Sequence, residues 1–141
     1  MPSRHLSIRL ESDIIDRLDD HGRRTGQSRS EVAKTLLEEG LRMEAHPGIV
    51  FRPGPAGRRP ALADGPDVWS VARVIRGIKG SPVVVVERTA KLTGLTAEQV
   101  RVTVRYYTDY RAEIDEWLRR LDEEADRDEA AWLRQQELLR Q

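Results

Sequence analysis

Residues 5–10 read His-Leu-Ser-Ile-Arg-Leu. Leu6, Ile8 and Leu10 alternate with His5, Ser7 and Arg9, the period of two that marks a strand with one apolar face. Beyond residue 11 the spacing becomes helical. Ser12 is placed to cap a helix, with Asp13 and Asp16 near its positive end and Ile14, Ile15 and Leu18 as its apolar stripe. Gly22 and Gly26 weaken and end it. Ser28-Arg-Ser-Glu31 fits a capping box, and Val32, Ala33, Leu36, Leu37, Gly40 and Leu41 keep the helical period to about Met43. One strand cannot make a stable sheet, and two short helices bury too little apolar surface to fold alone. The first 45 residues therefore require a partner, most simply a second copy whose strand pairs across a two-fold axis. A two-stranded ribbon of that kind fits the major groove of DNA.

Beyond residue 45 the composition shifts. Residues 46–66 hold five of the seven prolines and four of the ten glycines. His46-Pro-Gly reads as a turn, Ile49-Val-Phe51 as a short strand, Pro53 to Gly57 as a loop, and Arg59 to Leu62 as a second strand pairing back. Helical spacing resumes with Asp67 as cap and Val68, Val71, Ala72 and Ile75 on one face. Ser81-Pro82 opens another helix. Val83 to Val86 are all β-branched and taken alone suggest a buried strand. The Ser-Pro opening and Gly94 closing favour a helix to about Leu92. Thr96-Ala-Glu-Gln99 is a further capping box, opening the longest helix, with Val100, Val104, Tyr107, Ile114, Trp117, Leu118 and Leu121 at threes and fours. An acidic tail from Asp122 carries Trp132, Leu133, Leu138 and Leu139 as its apolar points.

The net charge of zero hides an asymmetry. Residues 1–50 carry 8 basic and 9 acidic side chains, residues 51–110 carry 10 and 5, and residues 111–141 carry 6 and 10. A basic middle suits a polyanion and an acidic tail suits a basic partner, although a merely uneven solvated surface gives the same counts. The chain has no cysteine, which excludes disulfides and thiolate metal sites, and its three histidines lie far apart. Its longest uncharged apolar run, Val83 to Val86, is far short of a membrane span. No secretory leader pattern is visible, so a cytoplasmic location is expected.

Residues 5–43 resemble the ribbon-helix-helix (CopG-like) family of bacterial dimeric repressors and antitoxins. The likeness rests on Leu6-Ser-Ile-Arg-Leu10, Leu18-Asp19 and, most specifically, Thr25-Gly-Gln-Ser-Arg-Ser-Glu31. It implies that the outward strand residues His5, Ser7 and Arg9 read bases, Arg9 by a bidentate contact to guanine. It also implies that Ser28, Arg29 and Ser30 clamp a phosphate. Asp13, Asp16, Asp19 and Asp20 crowd the first helix, so either the acidic face points away from DNA or the module binds DNA weakly. Glu11 stands where the family usually has proline.

Residues 46–112 carry a longer and looser likeness. Gly57-Arg-Arg-Pro60, Asp67-Val-Trp-Ser-Val-Ala-Arg-Val74, Leu95-Thr-Ala-Glu-Gln-Val100 and Tyr106-Tyr107 resemble the helix-turn-helix antitoxin domain known as domain of unknown function 433. Ala63-Asp-Gly-Pro66 stands where that family usually reads Gly-Thr-Arg. The resemblance implies a VapB-type antitoxin paired with a PIN-like ribonuclease toxin, docked by the tail through Trp132, Leu133, Leu138 and Leu139. Arg58, Arg59, Arg73, Arg76, Lys79, Arg101 and Arg105 are candidates for phosphate contacts, and Trp69, Tyr106, Tyr107 and Tyr110 for core.

No phosphate-binding glycine loop, histidine pair or nucleophile with a nearby base appears, so no enzyme and no cofactor is expected. The expected architecture is mainly α with a short β ribbon. A ribbon-helix-helix dimer (1–45) precedes a small helix-turn-helix-like domain (46–121) and an acidic helical tail (122–141). The expected partners are operator DNA, a PIN-like toxin and a second copy, as a homodimer or higher even oligomer, with no membrane. The alternatives are a transcriptional regulator without a toxin and an interaction scaffold that never touches DNA.

Overall fold

The computed structural model describes residues 2–141, and helices account for most of them. In chain order these are α1 (Ser12–Thr25), α2 (Arg29–Ala45), β1 (Ile49–Arg52), β2 (Arg59–Leu62), α3 (Val68–Gly77), α4 (Pro82–Thr93), α5 (Ala97–Asp109) and α6 (Arg111–Leu139). The chain divides into two units, one ending at Glu44 and one running from Ala45 to Gln141.

In the N-terminal unit, residues 5–10 form no strand within a single chain. The expectation of a strand there is met by irregular backbone, because a strand needs a hydrogen-bonded neighbour and the described residues supply none. Ser12 is the first helical residue rather than the cap. Glu11 occupies the cap position without a side-chain bond, and its carbonyl accepts from Ile14 N and Ile15 N at 3.0 and 3.1 Å. α1 ends where the glycines stand. Gly26 adopts φ 71°, and Gly22 O accepts from the amides of Gly26 and Gln27. A Cβ on Gly22 would run into the carbonyl oxygen of Gln27, so the turn onto α2 requires glycine there. The Ser28–Glu31 capping box forms, with Glu31 N donating to Ser28 Oγ at 3.2 Å and Ser28 N to Glu31 Oε1 at 3.3 Å.

The C-terminal unit has its own core. Ile49, Leu62, Val68, Val71, Ala72, Tyr106, Tyr107, Ile114 and Leu118 are buried together, with Phe51, Trp69 and Tyr110 packed against them. β1 and β2 pair antiparallel in the register Ile49↔Leu62 to Arg52↔Arg59, as the proline-rich segment led one to expect. The valine run is helical. Ser81 Oγ accepts from Val84 N at 3.4 Å, Pro82 sits in the first turn, and Gly94 closes the helix at φ 72°. These end signals outweigh the β preference of four valines, which is small and depends on packing. Asp67 stands at the cap of α3 but makes no capping bond, because its carboxylate is engaged elsewhere.

Two helices replace the one expected from Thr96 to Leu121. Tyr110 leaves helical geometry at φ −123°, ψ 35° and packs on Tyr106 and His46, dividing α5 from α6. The acidic segment from Asp122 is helical, and it continues α6 without a break from Arg111 to Leu139. Nothing in it can stop a helix, since residues 111–141 contain neither glycine nor proline.

Thr89 of α4 is wholly buried, and its Oγ1 has no hydrogen-bond partner. Thr89→Val keeps the shape and removes the unsatisfied hydroxyl. It is expected to raise stability by about 1 kcal/mol, read as a higher urea midpoint at unchanged slope.

Candidate nucleic-acid interface

His5, Ser7 and Arg9 lie on the irregular arm that leads into α1, all three exposed. So are the apolar residues between them: Leu6 is 72%, Ile8 58% and Leu10 40% accessible. Both faces of the arm are therefore open in one chain. Ile14 on α1 and Leu36, Leu37 and Leu41 on α2 are exposed as well. Among the described residues, Val32 is the only large apolar side chain the N-terminal unit buries. Ile14, Leu18 and Leu36 floor an open groove of about 430 Å³ edged by Arg17, Asp20, His21 and Arg24.

Ser28, Arg29 and Ser30 sit together, exposed, at the start of α2. Ser28 is occupied in the capping box. Arg29 is held by Asp19 of α1, its Nε donating to Oδ1 at 2.9 Å and its Nη2 to Oδ2 at 2.8 Å. These bonds hold the Asp19 carboxyl below the ordinary carboxylate range and raise the Arg29 guanidinium. Asp20, one residue on, is turned to Arg23 instead. The crowd of acids on α1 is thus partly neutralised from within. The Asp19–Arg29 link spans ten residues and two helices, a spacing that no helical periodicity reveals.

The C-terminal unit commits several of its expected phosphate contacts to its own fold. Arg59 donates from Nε to Asp67 Oδ2 at 2.6 Å and from Nη1 to Pro53 O at 2.7 Å. Trp69 Nε1 donates to the same carboxylate oxygen at 3.0 Å, which is what draws Asp67 away from capping α3. Arg52 is bonded to the carbonyls of Leu62, Ala63 and Gly65 at 2.9–3.0 Å. Arg73 lies over the Trp69 ring and pairs with Asp122 at 2.8 Å. Arg76 approaches Asp115 at 3.7 Å. Arg101 and Arg105 share Glu98 at 3.2 and 3.0 Å on the open face of α5, and those bonds, chiefly that from Arg105, lower the Glu98 pKa. Arg58 is half-buried beside the β-hairpin, and Lys79 is exposed after α3.

The aromatic residues read as core are core. Tyr106 and Tyr107 are buried, and Trp69 and Tyr110 pack on the cluster. The Tyr107 hydroxyl donates to Asp115, and burial together with that bond pushes its pKa up to about 12. Sequence reading missed His46, which stands edge-on to Tyr106 and Tyr110 with Nε2 2.9 Å from Asp109 Oδ2. Its only signal was position, immediately before a proline-glycine turn.

On α6, Ile114 and Leu118 reach the core, while Trp132, Leu133, Leu138 and Leu139 are 56%, 53%, 69% and 77% accessible. Between them Arg119 links Glu116 and Glu123 along the helix surface, at 2.6 and 2.5 Å. Arg119 and Arg120 hold the Glu116 carboxyl down at about 2. The far half of α6 thus presents large apolar side chains on an acidic helix, and among the described residues nothing covers them.

Among the described residues no helix is long and apolar enough to cross a membrane, and no group of three or more His, Asp or Glu is arranged to hold a metal ion. Comparison of the chain with protein-family models, with curated proteins and with solved structures yields no match.

The Arg59 bracket gives a direct check. Arg59→Ala leaves the partly buried Asp67 carboxylate without its charge partner and is expected to cost about 2 kcal/mol of stability, measured by denaturant unfolding. Unchanged stability would return Arg59 to the pool of free surface cations.

Proposed function

We propose that this chain is a type II antitoxin that binds its own operator as a dimer, represses its transcription, and neutralises a PIN-like ribonuclease toxin through the end of α6. The observation that carries the DNA half of this reading is the half-built core of the N-terminal unit. Leu6, Ile8, Leu10, Ile14, Leu36 and Leu37 are all exposed in one chain. Covering them supplies the burial that two short helices lack. Pairing of the two arms antiparallel turns Leu6, Ile8 and Leu10 onto the helices and leaves His5, Ser7 and Arg9 on the opposite face. That ribbon is narrow enough for the major groove, and Ser28, Arg29 and Ser30 of each copy then meet the phosphates flanking it.

The toxin half rests on α6. Its exposed Trp132, Leu133, Leu138 and Leu139 belong to a helix too acidic to sit on nucleic acid. An amphipathic helix of this kind docks in an apolar groove with basic edges, which a nuclease that binds RNA offers. The helix-turn-helix-like reading of the C-terminal unit draws support from α3, α4 and α5, with only Gly94, Leu95 and Thr96 between the last two. A second reading, a transcriptional regulator whose α6 only closes its own assembly, is favoured by the continuity of α6 from the buried Leu118 outward.

Fluorescence anisotropy of the chain on its upstream DNA at two salt concentrations tests the first half. Binding is expected to fall steeply with salt, because each neutralised phosphate releases counterions. Arg9→Ala is expected to weaken operator binding by roughly 1–3 kcal/mol and to blur sequence preference. Unchanged affinity on a footprinted operator removes Arg9 from the base-reading set.

For the second half, deletion of residues 122–141 is expected to leave a folded dimer that binds operator but no longer inhibits the ribonuclease encoded beside it. Trp132→Asp in the full chain is expected to weaken inhibition in the same direction. A truncated chain that still inhibits, or the lack of any nuclease partner, supports the regulator reading instead.

A further inference from the structure

The geometry points to Asp19 as a positioning residue for DNA binding, one that holds Arg29 by one edge so that its other edge is presented to a phosphate. This inference rests on the ribbon reading proposed above. A guanidinium has five N–H donors on two usable edges, side-on through Nε and Nη2 and end-on through Nη1 and Nη2. Asp19 takes the side-on edge in a bidentate pair, at 2.9 Å to Nε and 2.8 Å to Nη2. Among the described residues nothing accepts a hydrogen bond from Nη1. Three N–H donors therefore remain on a side chain that is still 55% accessible, between two serines at the start of α2.

An arginine free in solvent must give up its rotamer freedom when it meets a phosphate. Arg29 has already given it up on folding, so less is lost on binding. The pair also contributes to the local charge, together with Asp16, which acts on Arg29, and Arg23, which acts on Asp19. Asp19 is one of four acids on α1, and an unpaired carboxylate beside a phosphate would repel it. Paired, it adds polarisation to the guanidinium it holds.

The expected effect is opposite in sign to that of simple electrostatics. Removing an acid near DNA ordinarily tightens binding, because a repelling charge is gone. Asp20 supplies that reference, since it lies on the same helix one residue away and pairs with Arg23, not Arg29. The experiment is anisotropy of the full chain on its upstream DNA over a salt series, comparing wild type with D19N, D20N, D19E, R29K and D19N/R29K. Helix content and thermal midpoint are recorded for each.

D20N is expected to bind as tightly as wild type or tighter, at unchanged salt slope. D19N is expected to bind about tenfold more weakly, the loss of one charged hydrogen-bonding arrangement. Its salt slope should shrink by about one unit, the signature of one lost phosphate contact. D19E, which keeps the carboxylate, is expected to recover most of the affinity. R29K keeps the charge but loses both edges. It should match D19N, and adding D19N to it should change nothing further.

D19N that binds as tightly as D20N or tighter overturns the inference and makes Asp19 merely a repelling charge. D19N that loses affinity only in step with its thermal midpoint, at an unchanged salt slope, also overturns it and makes the pair a structural brace. Should D19N fail to fold, R29K and D19E decide by the same criteria. A wild-type chain that binds no upstream DNA overturns the inference together with the function it rests on. Binding by wild type with D19N equal to D20N overturns the inference alone.

Discussion

The N-terminal unit leaves most of its large apolar side chains uncovered, and the function proposed for this chain depends on that imbalance. α1 and α2 meet at a turn so tight that Gly22 and Gly26 are both required, and their packing buries Val32. Most of the other large apolar side chains in the unit face outward. Exposed apolar side chains in such number on a short unit are the feature on which the proposed association rests. Burying them would contribute roughly 25 cal/mol per Å² of apolar surface covered. The arm at residues 5–10 has the same character: among the described residues its backbone has no partner strand. Strand pairing and apolar burial are left open together, and the dimer proposed above would satisfy both in one event.

The C-terminal unit solves the opposite problem. It has a core of its own, built on Tyr106, and must tie down a proline-rich hairpin that has little hydrogen bonding to offer. It does so with arginines. Arg52 gathers three carbonyls from the 62–65 turn, and Arg59 joins the loop at Pro53 to Asp67 at the head of α3. Guanidinium groups suit this work because several donors diverge from one plane. The excess of positive charge in residues 51–110 is therefore partly structural. A count of basic residues cannot separate an arginine that satisfies carbonyls from one that waits for a phosphate. The charges that remain on open helix surface, such as Arg101 and Arg105, are themselves tempered by Glu98.

Much of the local structure was legible. The capping boxes at Ser28 and Thr96, the Ser-Pro opening of α4 and the glycine ends of α1 and α4 all appear where the residues place them. Each depends only on neighbours within a turn of helix. The misses share a different cause. Ser12 and Asp67 have the right chemistry for capping, but Glu11 carries the cap position of α1 and Arg59 with Trp69 recruits the Asp67 carboxylate. Tyr110 interrupts a pattern that looks continuous from Thr96 to Leu121, because its ring is drawn to Tyr106 and His46. The Asp19–Arg29 pair joins two helices across a turn whose shape no residue spacing announces.

By itself the sequence determined where most helices begin and end, the hairpin and the identity of the aromatic core. Capping chemistry, glycine and proline geometry and apolar periodicity are the cause, and all of them act over a few residues. Tertiary structure decided which polar groups are free. It turned Arg52 and Arg59 inward, joined Asp19 to Arg29, drew Tyr110 out of the helix and carried α6 as one rod to Leu139 with its last apolar residues uncovered. The physical reason is that a side chain's role depends on what lies within about 4 Å of it, and for these residues the deciding neighbours are not the ones that sequence spacing points to.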